Sequence, residues 1–263
     1  MPGDILLERD GAVAHVMLAH AGKLNAMSRA MWRRLRAVFA AIQADEGVRC
    51  VIVHGQGATF CAGGDIAEYP AFRFDVASLR AFHEQDVWGG LQAMLDCDVP
   101  VIAAIEGHCM GAGMEIASCC DIRVAADDAR FGAPIAKLGF PMAPREAALV
   151  ARVAGEATAR EMLLEAAVLD AAEMKARGFV HRVLPAAAVL EHARERARRI
   201  TALAPRAARL NKQTFRALNQ PLARDEYASS AIENIVIDAY DYADGAEHRE
   251  GIAAFLAKRP PRF

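Results

Sequence analysis

Two glycine-rich turns, each placed shortly after an apolar run, constrain most strongly what this chain can fold into. The first turn is residues 60–65 (FCAGGD), after the apolar run 48–53, and the second is residues 111–115 (GAGME), after the run 101–105. Both runs are short and contain β-branched residues, which predicts buried strands. Each strand is therefore expected to lead into a turn where glycine lets the backbone approach a ligand closely.

Two such turns facing each other predict a site for a carbonyl oxygen that becomes negative during a reaction, an oxyanion hole. Backbone N–H groups supply the hydrogen bonds, and a helix that begins just after the turn adds the positive end of its dipole. A single turn of this kind is more typical of an ordinary connection between a strand and a helix. The pair, with Glu115 after the second turn, favours the catalytic interpretation.

The same segments resemble one family in their order and spacing. They are residues 60–66 (FCAGGDI), 100–107 (PVIAAIEG), 111–115 (GAGME), 120–122 (CDI) and 131–132 (FG). This set closely resembles the enoyl-CoA hydratase/isomerase family, also called the crotonase family, and the resemblance extends to residues 255–263. It implies an α/β fold of the ClpP/crotonase type, a spiral of β-β-α units over residues 1–198. Residues 199–263 are then expected to form a helical oligomerisation region.

Composition limits the other possibilities. With 263 residues, 54% of them hydrophobic, the chain can bury one large core. Its 31 basic and 33 acidic residues give no electrostatic reason to bind nucleic acid. The cysteines include an adjacent pair, 119 and 120, and no CxxC pair of the metal-binding type, so we expect six buried, reduced thiols and no metal. No stretch approaches the roughly 20 apolar residues of a membrane span, and a cytoplasmic location is expected.

Local patterns predict most of the elements. Residues 5–7 and 13–18 form a predicted hairpin, and Ser28 is expected to cap the helix that follows. A second helix is predicted over residues 75–95, whose His83, Glu84 and Asp86 are interpreted as a solvated face. Residues 144–176 are predicted to be helical, with a short strand at 179–183 after them.

The candidate catalytic residues come from the two turns. Glu115 lies about one helical turn from Gly111, within reach of the carbon next to a bound thioester carbonyl. By itself it is equally typical of an acidic residue at a helix N-terminus. The resemblance implies that Glu115 is the acid or base and that the oxyanion donors are the backbone N–H groups of Gly64 and Ala112.

One segment departs from the hydratase pattern. Hydratases of this family carry a second glutamate in a Phe-Gly-x-Pro-Glu segment, where this chain has Ile135. Hydration by two carboxylates needs one to handle water and one to protonate carbon. With one carboxylate, a proton shuttle such as double-bond isomerisation is favoured over hydration. Glu146 is a candidate replacement acid, and a structural role in the first turn of a helix begun by Pro144 is the alternative.

The resemblance also implies where coenzyme A binds, as part of the substrate and with no separate cofactor. Lys23, Leu24 and Asn25, together with Ala62, Asp65 and Ile66, are expected around the pantetheine arm and the adenine. Phe255 and Lys258 match tail positions that reach the nucleotide of a neighbouring subunit. Family members use this tail to form trimers or dimers of trimers. A homotrimer or homohexamer is therefore expected, with apolar positions at Ile232, Ile235, Val236 and Tyr240.

Other functions remain as alternatives. A dinucleotide-binding fold fits poorly, because the second turn lacks the third small residue of that motif, and a serine hydrolase lacks its Gly-x-Ser-x-Gly elbow. Within the same fold, a racemase, decarboxylase or thioester hydrolase is possible, as is an acyl-CoA-binding scaffold without activity. Retention of Glu115 and of small residues at both oxyanion positions argues against the scaffold.

Overall fold

The structure, a computed structural model, describes residues 2–218 and 245–263. Its strands, in chain order, are β1 (Asp4–Asp10), β2 (Val13–Ala19), β3 (Cys50–Gly55), β4 (Val101–Ile105), β5 (His108–Met110), β6 (Ile122–Ala126), β7 (Arg130–Gly132), β8 (Val168–Asp170) and β9 (Arg182–Leu184). A larger sheet has the order β1-β2-β3-β4-β6-β9, and a smaller sheet has the order β5-β7-β8. The predicted hairpin is confirmed, since β1 and β2 pair antiparallel.

Helices connect the strands of these two sheets. They are α1 (Arg29–Ala44), α2 (Val76–Ala81), α3 (Trp88–Asp96), α4 (Ala112–Cys119), α5 (Pro144–Ala154), α6 (Glu156–Leu164), α7 (Ala171–Ala176), α8 (Ala186–Thr201), α9 (Pro205–Leu218) and the C-terminal helix Ala246–Leu256. Ser28 caps α1 as predicted, because its side chain accepts a hydrogen bond from the N–H of Met31. Asp170 and Glu173 form a capping box at the start of α7.

The chain between β3 and α5 winds as a spiral. β3, β4 and β6 are parallel neighbours in the larger sheet. The segment after each of them joins the second sheet or its edge, because Cys61 bridges β5 in parallel and β5 pairs in parallel with β7. A helical segment follows each time. Each turn of chain therefore adds a strand, a second extended segment and a helix, which is the predicted β-β-α repeat.

The predicted helix over residues 75–95 contains a π-helical turn, Phe82–Val87, between α2 and α3. An added residue per turn shifts the side chains away from the 3.6-residue period. As a result the prediction of a solvated face is wrong for two of its members. Asp86 is buried and pairs with Arg29 and Arg33 of α1, and His83 faces a cavity described below.

The region 144–176 is less helical than predicted, because β8 interrupts it. This strand has only three residues, and it pairs antiparallel with β7. Its pairing partner therefore decides its conformation. The strand expected at 179–183 is β9, a few residues later, and it completes one edge of the larger sheet.

All eight residues of α4 are buried, so this helix lies in the interior of the protein. Its C-terminal end is held by Arg123, which is itself buried. The guanidinium donates to the carbonyl oxygens of Ala117 at 3.3 Å and of Phe179 at 2.6 Å, and it also contacts the carbonyl of Cys120. Backbone carbonyls at the end of a helix lack donors within the helix, and the N–H groups of Arg123 serve as their donors.

The six cysteines are buried and free, as predicted. No helix in the described ranges is long and apolar enough to cross a bilayer. Ile232, Ile235, Val236 and Tyr240, on which the predicted oligomer surface depends, lie outside the described residues. The division at residue 198 falls within α8 and stays a prediction.

Candidate active site

The two glycine-rich turns lie side by side because their entry segments pair. The N–H of Cys61 donates to the carbonyl of His108 at 2.8 Å, and the N–H of Met110 donates to the carbonyl of Cys61 at 2.9 Å. The chain then runs on in parallel. A Cβ atom added to Gly111 would lie only 3.7 Å from Cα of Gly63. The backbone pairing thus brings together two turns that are almost 50 residues apart in sequence.

Pairing with the segment before α1 fixes the direction of the Gly64 amide. The N–H of Met27 donates to the carbonyl of Gly63, and the N–H of Asp65 donates to the carbonyl of Met27, each at 2.8 Å. Met27 and Gly64 form a parallel bridge, in which Gly63 and Asp65, the two neighbours of Gly64, make the hydrogen bonds to Met27. The N–H of Gly64 therefore points away from Met27. A Cβ atom at this position would lie 2.1 Å from Oη of Tyr69, so a larger residue would require the Tyr69 side chain to shift.

Ala112 is the first residue of α4, where the backbone N–H has no acceptor within the helix. Gly111 precedes it with a φ of 48°, a left-handed conformation that favours glycine. The N–H of Gly111 donates to Gly132, and its carbonyl accepts from Glu115. These bonds fix the turn and leave the N–H of Ala112 unused by the helix.

Gly64 and Ala112 share the wall of one cavity with Glu115, Glu146 and Ile135. The cavity volume is about 200 Å³, below the roughly 300–1,000 Å³ typical of pockets for drug-sized ligands. It suits a small acyl group. The position where hydratases carry their second glutamate and the candidate replacement therefore face the same space.

Glu115 and Glu146 are both buried, with 6% and 3% of their surface exposed. Burial raises the pKa of Glu115 well above its ordinary value, and the nearby Glu146 raises it further. A like charge in the same buried site disfavours ionisation of Glu115. Glu146 also has a partner of its own, His83, whose Nδ1 lies 2.9 Å from Oε1.

Aromatic rings and one arginine form the opposite wall. The guanidinium of Arg73 lies 3.6 Å from the ring centre of Phe140 and 4.7 Å from that of Tyr69. Its Nη1 is 3.5 Å from Nε2 of His83. Burial raises the pKa of Tyr69 to about 12, which keeps the phenol neutral beside Gly64.

The residues expected around coenzyme A form two groups. Ala62 and Ile66 line the cavity, and the N–H of Ala62 donates to the carbonyl of Leu24. Lys23 and Asp65 pair at 2.6 Å.

Three of these residues differ in how much surface they offer. Leu24 is 54% exposed and Ile66 is 51% exposed, so both present apolar surface near the cavity. The side chain of Asn25 is used within the protein, since it donates to the carbonyls of Gln56 and Thr59.

Phe255 and Lys258 lie at the end of the C-terminal helix, away from the cavity wall. Phe255 is 82% exposed, and Lys258 is exposed with a φ of 52°. Within this subunit they do not join Glu115. Their predicted contact with a neighbouring subunit stays a prediction.

Sequence reasoning missed the wall made by Arg73, Tyr69 and Phe140 with His83. Arg73 and Phe140 belong to no sequence motif. The π-helical turn that aims His83 into the cavity has no signature in hydrophobic periodicity. These residues come from separate elements and meet only in the folded protein.

Comparison with known proteins gives one family. A family model described as enoyl-CoA hydratase/isomerase matches residues 8–263. A probable enoyl-CoA hydratase of Mycobacterium bovis is 33% identical over 262 residues, covering 98% of this chain and 97% of the relative. A crotonyl-CoA hydratase of Syntrophomonas wolfei is 30% identical over 266 residues, covering 99% and 97%. A solved enoyl-CoA hydratase/carnithine racemase from Magnetospirillum magneticum superposes with a TM-score of 0.91 at 38% identity, covering 98% and 94%.

Proposed function

Because the chain belongs to the enoyl-CoA hydratase/isomerase family, we propose that it adds water to the double bond of an enoyl-CoA thioester. Family membership already makes it an enzyme with the crotonase fold that acts on acyl-CoA. The observation that carries the finer proposal is the single cavity in which two buried carboxyl groups face two backbone amides. Hydration needs one group that takes a proton from water and one that gives a proton to carbon, both beside an oxyanion site.

In this proposal the N–H groups of Gly64 and Ala112 bind the thioester oxygen. Attack at the β-carbon moves charge onto that oxygen as an enolate, and fixed donors stabilise it. The N-terminus of α4 adds a favourable dipole at the same place. The arrangement of both amides by backbone pairing supports the assignment, because the donors are fixed before substrate binds.

The two carboxyl groups take opposite roles. The raised pKa of Glu115 favours its protonated form, which suits an acid that gives a proton to the α-carbon. Glu146 lies within hydrogen-bond distance of His83, which fixes its carboxyl group in the cavity, and it suits the base that takes a proton from water. His83 is then a positioning residue that acts through Glu146.

The atoms balance over one turnover. The water oxygen bonds to the β-carbon, and one water proton moves to Glu146. The electrons of the carbon–carbon double bond form the enolate, which collapses as the α-carbon takes the proton of Glu115. A proton then passes from Glu146 to Glu115, directly or through solvent, and restores the starting state. We propose that no separate cofactor takes part, because these groups supply both proton transfer and charge stabilisation.

Ile135 favours a second candidate, isomerisation of a double bond within the bound acyl group. Ile135 lines the cavity where hydratases place a carboxylate, and its side chain cannot orient water. If Glu146 acts only structurally, Glu115 alone is left to move protons between carbons. The wild-type protein distinguishes the candidates through two rates. They are the loss of the conjugated absorbance of crotonyl-CoA and the incorporation of deuterium from heavy water into 3-enoyl thioesters.

Hydration faster than exchange supports the two-carboxylate proposal, and exchange without hydration replaces it with isomerisation. We also expect acyl-CoA binding in the micromolar range, about 8 kcal/mol, measurable by titration calorimetry. Absence of binding for every chain length would contradict both candidates.

We further propose a homotrimer or a dimer of trimers in the cytoplasm, with Phe255 and Lys258 at a neighbouring subunit's nucleotide. The large exposed surface of Phe255 supports a partner contact there. Light scattering at micromolar concentration tests the assembly, and a monomer contradicts it. Removal of the residues after Gly251 is expected to weaken coenzyme A binding.

A further inference from the structure

We propose that Arg73 selects acyl groups that end in a carboxylate, so that the substrate is the coenzyme A thioester of a short, unsaturated dicarboxylic acid. This inference rests on the proposed function, because it requires the acyl group to occupy the cavity beside Glu115. It concerns Arg73, a residue of the cavity wall that takes no part in the proposed proton transfers.

The guanidinium of Arg73 is held in place by aromatic rings. It lies 3.6 Å from the ring centre of Phe140 and 4.7 Å from that of Tyr69. Contact with the faces of two rings holds a guanidinium in place by cation–π attraction and leaves its N–H groups without a carboxylate acceptor. An arginine placed in this way is suited to bind a planar carboxylate with two parallel hydrogen bonds.

Arg73 lacks the carboxylate partner that other arginines near it have. Arg29 and Arg33 pair with Asp86 at 2.8 Å and 2.7 Å, and Arg145 pairs with Glu84 at 3.3 Å. Within residues 2–218 and 245–263 no carboxylate lies within ion-pair distance of Arg73. The guanidinium is only partly exposed and lines the cavity, and burial lowers the pKa of Arg73, an effect that the nearby Glu146 offsets only in part. An anion in the cavity offsets the remaining cost of burial.

His83 does not replace the missing anion. Because a guanidinium can only donate, its contact with Nε2 assigns that nitrogen as the acceptor and Nδ1 as the donor to Glu146. The separation of 3.5 Å makes this a weak hydrogen bond, and it occupies only one of the five donors of the guanidinium. The imidazole therefore stands between Glu146 and Arg73 and separates the acidic part of the cavity from the cationic part.

The position of Arg73 sets the length of the acyl group. Tyr69 spans the distance, since its hydroxyl lies against Gly64 while the face of its ring lies next to the guanidinium. A thioester oxygen at Gly64 and a terminal carboxylate at Arg73 are thus separated by about one phenol side chain. The cavity volume of about 200 Å³ agrees with such a short group.

The test uses pairs of trans-2-enoyl-CoA thioesters of equal carbon number, one ending in a methyl group and one in a carboxylate. We compare wild type, Arg73→Met and Arg73→Lys, with Arg80→Met as the matched control. Arg80 is an exposed arginine of α2 and does not line the cavity. The readout is the ratio of kcat/KM for the carboxylate to that for the methyl substrate, which cancels general effects of a substitution on the site.

Wild type is expected to prefer the carboxylate, and Arg73→Met is expected to lower the ratio on the order of 10- to 100-fold, the range for a charged hydrogen-bonded pair. Arg73→Lys keeps the charge without the planar fork and is expected to fall between them. Arg80→Met is expected to keep the wild-type ratio. A wild-type preference for the methyl substrate overturns the proposal, as does an unchanged ratio in Arg73→Met. A thioester whose acyl group ends in a cationic trimethylammonium group is a further comparison, and a preference for it also overturns the proposal.

A binding measurement separates this inference from the proposed function. Titration calorimetry with the saturated forms of the same two thioesters requires no turnover. If wild type binds the carboxylate form more tightly and Arg73→Met removes the difference, the selectivity stands even where hydration is not observed. Equal binding of both forms by wild type overturns the inference while leaving hydration to be judged by its own assay.

Discussion

The two walls of the cavity are built in different ways. Gly64 and Ala112 contribute backbone amides, and pairing between neighbouring segments of the two sheets sets their direction. Arg73, His83 and Glu146 contribute side chains from three separate segments, a turn, the π-helical turn and α5, and contacts between those side chains set their positions. We expect the first wall to tolerate substitutions that keep the backbone and the second to respond to each side-chain change.

Loss of Glu115 is expected to have the largest effect, because Glu115 is the acid between the two walls. Glu115→Gln keeps the shape but cannot release a proton to carbon, so kcat for hydration should fall on the order of 1,000-fold. Binding of a saturated acyl-CoA should change little. Steady-state rates and titration calorimetry measure the two quantities.

Glu84→Gln is the control for this change, since Glu84 is half exposed and pairs with Arg145 outside the cavity wall. Its rate should equal that of wild type. A Glu115→Gln variant that retains more than about a tenth of the wild-type rate, a loss below about 1.4 kcal/mol, would show that another group donates the proton.

The backbone wall can be tested by removal of a single N–H group. Ala112→Pro deletes the proposed donor at the first position of α4, where proline is compatible with a helix. We expect kcat to fall on the order of 100- to 1,000-fold. Ala186→Pro makes the same change at the first position of α8, away from the cavity, and should leave kcat unchanged. Thermal unfolding curves check that both variants are folded. Equal rates for the two folded variants would show that Ala112 gives no hydrogen bond to the oxyanion.

The side-chain wall is tested by Glu146→Gln. We expect hydration to fall on the order of 100-fold, because the amide cannot take a proton from water. Exchange of the α-proton with heavy water should fall much less, since Glu115 remains. If hydration and α-proton exchange fall together, Glu146 acts through Glu115 and does not take the proton from water. The proposed roles of the two carboxyl groups would then be wrong.

The smallest expected effect is on stability. In the folded protein the pKa of Glu115 is raised well above 4.5, so the folded state holds a proton that the unfolded chain releases above that pH. The stability from this proton is complete below pH 4.5 and is lost as pH rises toward the folded-state pKa, at up to about 1.4 kcal/mol per unit.

Glu115→Gln has no such proton, so its free energy of unfolding should gain on that of wild type over the same range. Denaturant titrations of both proteins at several pH values measure the difference. A difference that stays constant with pH would mean that Glu115 is not held protonated by burial.

The difference between the walls also explains what the sequence could predict. The glycine turns and the cap at Ser28 depend on neighbours in sequence, and both are found in the structure. Gly64 and Ala112 could be placed near one another because strand entry and glycine position are local signals. Their roles as donors stay predictions.

The rest depends on contacts that no local pattern encodes. His83 reaches the cavity through a π-helical turn, and its partner Glu146 is 63 residues away. β8 is a strand because β7 offers it an edge, although its own sequence continues a helical pattern. Arg73 acquires its position from contacts with the rings of Tyr69 and Phe140, which meet edge to face. Such positions are set by packing and not by periodicity.

The complete burial of α4 has a consequence for the effect of ionic strength. Dissolved ions screen exposed charges over roughly 8–10 Å at physiological concentrations, but they do not enter a helix whose eight residues are all covered. The dipole of α4 therefore acts on the bound thioester at full strength in dilute and in concentrated salt. Salt is expected to weaken the capture of the charged coenzyme and raise KM, while kcat stays nearly constant.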